Sequence, residues 1–134
     1  MSFSADLNRW NNKTKDRAED LMQKVVIVSS QGVTSRNPVE SGRSRASWNI
    51  QAGRPNLRVA GEGEGTDSDT DQATLDRLTA EAKQVSLKDR DVYLTNNMPY
   101  AMRLEYGWSD QATHGMVRVT AAEVRSLIAA GRLR

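Results

Sequence analysis

Apolar residues recur along this chain in two rhythms, and the changes of rhythm divide it. From Phe3 to about Ser29, the residues Leu7, Trp10, Ala18, Leu21, Met22, Val25 and Val28 return at helical spacing. They predict a long amphipathic helix with Ser4 as its N-cap. Its middle, Asn11-Asn12-Lys13-Thr14-Lys15-Asp16-Arg17, is polar, so the first half is expected to stand partly clear of the core. Gln31-Gly32 and Asn37-Pro38 then break the pattern. Ala46, Trp48, Ile50 and Ala52 alternate with Ser47, Asn49 and Gln51, the signature of a half-buried strand with Trp48 turned to the core. Leu57 to Ala60 reads as a short return strand.

The helical rhythm resumes from Gln72 to about Val85, with Leu75, Leu78, Ala82 and Val85 on one face and Asp69 or Asp71 as the cap. Val92 to Thr95 is a strand. Pro99 fits the first turn of a short helix carrying Tyr100, Ala101, Leu104 and Glu105, and Gly107 stops it. Ser109 to Gly115 is a loop, and Met116, Val117 and Val119 form a short strand. Thr120 caps a last helix, Ala121 to Ala130, with Glu123 completing a capping box and Gly131 ending it. These elements predict one α+β domain over residues 1–134. Its small mixed or antiparallel sheet, of about three to four strands, packs with a long N-terminal helix, a middle helix and a C-terminal helix.

Composition narrows this further. With 134 residues, 37% of them hydrophobic, and a mean hydropathy of -0.67, the chain can hold one modest core. Residues 61–71 alternate glycine with acid and cannot bury enough apolar area to offset their ordering entropy, so a mobile acidic loop is expected there. A run of about 18 apolar residues is lacking, as is a basic-then-apolar start, so neither a membrane span nor a signal peptide is expected. The chain has no cysteine, which excludes disulfides, thiol catalysis and cysteine-ligated zinc and suits a reducing compartment.

The net charge is only +2, but its distribution is blocky. Arg43, Arg45, Arg54 and Arg58 form a basic middle. Glu62, Glu64, Asp67, Asp69 and Asp71 follow as an acidic block, and Arg125, Arg132 and Arg134 make a basic tail. Opposite blocks on one small chain suit head-to-tail contacts between copies, and equally suit solvated loops of mixed charge. The four arginines flank a strand bearing Trp48, which makes a small nucleic-acid-binding module the alternative reading. The inward position of Trp48 and the neighbouring acids weigh against tight phosphate binding.

Chemistry points away from an enzyme. His114 is the single histidine, in a glycine-flanked polar loop, without a histidine or cysteine partner for a metal. Asp67, Asp69 and Asp71 lack the central glycine and terminal glutamate of a calcium loop. Gly61, Gly63 and Gly65 are interleaved with carboxylates that repel phosphate. No cofactor is expected. What stands out instead is Asn96 to Met116, where aromatics concentrate in an aromatic-poor chain. Tyr100, Met102, Arg103, Tyr106 and Trp108 are residue types enriched at interface cores. Two arrangements are open. Tyr100, Leu104 and Trp108, at fourfold spacing, form an inward stripe, or part of the cluster is exposed and buries against another chain.

Two blocks, in order, resemble a phage family. Asn37-Pro38-Val39-Glu40-Ser41-Gly42-Arg43-Ser44-Arg45-Ala46-Ser47-Trp48 is similar to the signature that follows the first helix in tail-completion or neck proteins of tailed phages, the minor tail protein Z-like family, although Ser44 stands where an apolar residue is usual. Asn96-Asn97-Met98-Pro99-Tyr100-Ala101 with Leu104-Glu105-Tyr106-Gly107 resembles that family's second block. Ser109-Asp110-Gln111-Ala112 and Gly115-Met116-Val117 continue it, with Thr113-His114 in place of a proline-containing pair. The resemblance implies a virion structural protein of the neck, assembled as a ring, a homohexamer. Such a ring joins the head connector or stopper to the tail terminator or tube and lets DNA pass. A subunit contact shaped or supported by Tyr100, Met102, Glu105, Tyr106, Trp108 and His114 is expected. Glu62, Glu64, Asp67, Asp69 and Asp71 would reach a neighbour or the lumen.

Overall fold

The computed structural model describes residues 2–38, 43–61, 68–89 and 91–133, and of residues 68–71 the backbone alone. Ser2, not Ser4, caps the first helix, α1 (Phe3–Arg36), by accepting a hydrogen bond from the Ala5 N–H at 3.2 Å. The helix does not stop at Ser29. It runs through Gly32, which the sequence pattern reads as a breaker, because glycine here serves packing. A Cβ at Gly32 would lie 2.6 Å from the Thr120 methyl, so the missing side chain lets the C-terminal helix press close. Asn37-Pro38 ends it. Asn37 is buried and works as a hub, its Oδ1 accepting from Trp48 Nε1 at 3.0 Å and Ser44 Oγ at 3.2 Å.

A single turn, α2 (Arg43–Ala46), precedes β1 (Trp48–Ala52), so Ala46 belongs to the turn rather than to the strand. Next come α3 (Ser68–Ala82), β2 (Val92–Asn96), α4 (Ala101–Glu105), a 3-10 turn (Asp110–Ala112) and α5 (Val117–Ala129). The backbone of Asp69 and Asp71 already lies inside α3, so neither stands at its N-cap and the acidic loop is shorter than 61–71. Glu62, Glu64 and Asp67 lie outside the described residues.

The fold is α+β, with fewer strands than the sequence suggests. Among the described residues the sheet has two antiparallel strands, Trp48 facing Asn96 and Ala52 facing Val92. Both missing strands have a physical account. Val117 and Val119 are β-branched and read as strand, but Glu105 closes a helix N-terminus over them, and α5 begins at Val117 rather than after Thr120. Glu123 is thus no capping-box residue. It pairs with Arg36 of α1, which also donates to Thr120 Oγ1 at 3.0 Å. Residues 55–60 make no ladder. They form a strap across the outer face of the sheet, pinned by side chains. Thr95 Oγ1 and Asn97 Nδ2 donate to the Asn56 carbonyl, Asn49 Nδ2 to that of Arg58, and the Ala60 N–H donates to Ser47 Oγ.

The opposite face carries the core. Trp48 and Ile50 of β1 pack with Val33, Leu78, Ala82, Val85, Ala112 and Met116, and each large aliphatic side chain buried there stabilises by about 1.5–3 kcal/mol. The α3 face expected from Leu78, Ala82 and Val85 is the one buried. Arg77 and Glu81 of α3 close the outer edge of β1: Arg77 donates to the Ala46 and Trp48 carbonyls, and the Ile50 N–H donates to Glu81 at 2.9 Å. Residues 3–18 of α1 are exposed throughout, so its first half does stand clear.

Candidate docking site

The segment from Asn96 to Arg118 is built around one carboxylate. Met98 is buried, the Ala101 N–H donates to its carbonyl, and the chain turns through Pro99 and Tyr100 into α4. Only five residues follow before Tyr106 and Gly107 end the helix. That length brings Glu105 round to face α5, which starts twelve residues later. Its carboxylate accepts from the N–H groups of Met116 at 2.7 Å, Val117 at 2.8 Å and Arg118 at 3.0 Å, and from Arg118 Nε at 3.1 Å. Three orphan donors of a helix N-terminus and its dipole are satisfied by one side chain.

Two opposing effects set the charge of Glu105. Burial raises its pKa, and the side chain is only 14% exposed. The hydrogen bonds from Val117, Met116 and Arg118 outweigh that burial, and the net shift is downward, so the carboxylate stays ionised. Gly115 makes the approach possible. Its φ is +86°, and a Cβ there would lie 2.5 Å from the Glu105 carbonyl oxygen.

Outside this lock the aromatics face solvent. Trp108 is 73% exposed, Met102 65% and Tyr106 62%. Arg103 lies 5.0 Å from the Trp108 ring centre, and Arg118 lies 5.3 Å from that of Tyr106, so each ring is steadied by a cation over its face. Trp108 therefore does not join Tyr100 and Leu104 in an inward stripe. Those two are half-buried and Trp108 is outside. His114 is exposed in the turn before Gly115. Of the six residues expected at a contact, Met102, Tyr106, Trp108 and His114 present surface. Tyr100 is half-buried, and Glu105 faces inward and supports the platform. Arg118 was missed: it joins the Glu105 lock to the Tyr106 ring. The signal for it is Gly115 between a glutamate and a stretch able to start a helix.

A cavity of about 310 Å³ opens beside the platform, lined by Trp48, Leu94, Met98, Met102, Met116 and Val117 among others. A groove of about 300 Å³ continues from Leu94 and Val117 between α1, β2 and α5, and its walls are mostly valine.

The four arginines of the basic middle do not gather on one open surface. Arg43 Nε donates to the Ala60 carbonyl, Arg45 to that of Asn37 and Arg58 to that of Ala46. All three are half-buried, while Arg54 is exposed. The work of Arg43, Arg45 and Arg58 in this fold is to close backbone carbonyls around β1 and the strap. Among the described residues, no group of three or more acidic, histidine or cysteine side chains is placed to hold a metal, and no helix is long and apolar enough to cross a membrane. Comparison with protein-family models, with curated proteins and with solved structures finds no match for this chain.

Proposed function

We propose that this chain is a non-enzymatic structural protein of a phage neck. It acts as a ring, a homohexamer, between the head connector or stopper and the tail terminator or tube, and DNA crosses the ring without sequence-specific binding. The reading rests on the resemblance of its two sequence blocks to neck proteins. The observation that carries it is the exposed platform of Met102, Tyr106 and Trp108 on a backbone locked by Glu105. Large apolar side chains left outside a modest core mark a contact surface. A platform already held in shape has less ordering entropy to lose on docking.

Phe3, Leu7 and Trp10 on the free half of α1 add a second unpartnered apolar surface, as a subunit with more than one neighbour requires. The test is position. A reconstruction of the particle should place the chain at the head–tail junction, and density for it anywhere else removes the reading. Replacing Tyr106 and Trp108 together by alanine should lower the yield of joined particles at least tenfold. Normal joining would remove the platform from the contact.

A further inference from the structure

The two edges of the sheet are finished differently. The edge of β1 is closed by Arg77 and Glu81, whereas that of β2 is open among the described residues. Two observations fix which backbone groups point where. The Ile50 N–H is donated away from β2, to Glu81, and the Gly53 N–H is donated across to the Asp91 carbonyl at 2.9 Å. Antiparallel pairs alternate, so Asn49 with Thr95 and Gln51 with Tyr93 exchange the ladder bonds. Val92, Leu94 and Asn96 then direct their N–H and C=O groups outward, and no hydrogen bond to them is made among the described residues. The adjoining groove is walled by Val25, Val33, Val92, Leu94, Val117 and Thr120. A sheet of two strands is marginal in water, and an open edge beside an apolar groove is a template for another strand.

The strap has the complementary character. The backbone groups of Asn56, Arg58 and Ala60 are bound inward, by Asn49, Thr95, Asn97, Arg43 and Ser47. Leu57 and Val59 alternate with them. Their backbone groups have no partner among the described residues, and their side chains are 78% and 38% exposed. The strap is thus an extended segment, satisfied along one side and open along the other, with two aliphatic side chains to bury.

We propose that the strap of one copy docks along the free edge of β2 in a second copy, with Leu57 and Val59 entering the groove. This deepens the self-assembly part of the reading above and rests on it. Geometry sets an antiparallel register. With Leu57 opposite Leu94 and Val59 opposite Val92, the free N–H and C=O groups of each pair face one another, and all four side chains lie on the groove face. Backbone bonds supply the affinity, and the two aliphatic side chains supply the register. Donor and acceptor are different surfaces, so the contact is heterologous and each copy keeps one of each free for the next, which is the condition for a ring.

Two variants test it. Leu57→Asp with Val59→Asp spoils the donor at exposed positions. Val92→Pro spoils the acceptor, because it removes an outward N–H at the first residue of an edge strand, where proline is tolerated. Circular dichroism checks that both fold. In sedimentation velocity at about 100 μM, wild type is expected to associate and each variant to associate at least about tenfold more weakly. Their equimolar mixture should stop at a dimer, since one good donor meets one good acceptor. A monomeric wild type overturns the proposal and leaves the edge to a strand from a different protein. Variants that assemble like wild type, or a mixture that stays monomeric, overturn it too. If the proline variant does not fold, the donor variant decides: association equal to wild type overturns the pairing. None of these results moves the neck reading, which stands or falls on position in the particle.

Discussion

Two parts of this molecule hold aromatics out to solvent, and they do so by opposite means. The platform after β2 exposes Tyr106 and Trp108 from a short helix that cannot stand by itself, so every turn of it is tied down by Glu105, Gly115 and Arg118. The first half of α1 exposes Phe3 and Trp10 from a helix that continues directly into the core and needs no tie. In the platform, stability and surface shape are one quantity. In α1 they are separate, because residues 3–18 contribute almost nothing to the packed interior.

The sharpest way to break this contrast is Gly115→Ala. A Cβ would meet the Glu105 carbonyl, and φ would stay in the left-handed region, so a loss of roughly 3 kcal/mol is expected in denaturant unfolding. A loss below about 0.5 kcal/mol would mean that the close approach of α4 to α5 does not matter. Glu105→Ala comes next, at about 2 kcal/mol, with faster amide exchange at Met116, Val117 and Arg118 as the local signature.

The same carboxylate makes the platform sensitive to acid. Its pKa is lowered on folding, so its contribution is complete above the ordinary glutamate range, about 4.3. It is lost as pH falls through the lower folded value. The difference in stability between wild type and Glu105→Gln should therefore shrink below that range; a difference that is flat from neutral pH to well below it would contradict the lock. The smallest effect belongs to α1. Leu7→Ser with Trp10→Ser should change stability by less than about 0.5 kcal/mol. A larger loss would show that this half-helix packs on something.

How much of this was legible in the sequence follows from how local each interaction is. Trp48 in the core, the buried face of α3, the clear first half of α1 and the stop at Gly107 all depend on spacing within one element, and all were readable. The continuation of α1 through Gly32 was not, because its reason is Thr120, far along the chain. The start of α5 was not, because Val117 and Val119 prefer strand geometry and are overruled by a carboxylate from another helix. Leu57 to Ala60 reads as a return strand in the sequence, but it makes no ladder. Alternation reports a two-sided environment, and here side-chain amides supply it instead of a ladder. Of the candidate contact residues, exposure was legible for Met102 and Tyr106, whereas Trp108 stood open between two arrangements and the inward turn of Glu105 shows only once α5 is in place.

The free half of α1 also has a mechanical consequence. From Phe3 to Asp16 it extends about 20 Å at the rise of an α-helix. A change of about 10° in the direction of the helix near Met22, about 28 Å from Phe3, would carry its tip sideways by roughly 5 Å, close to the pitch of one helical turn. Small rearrangements around the core would thus be magnified at Phe3 and delivered to whatever grips it.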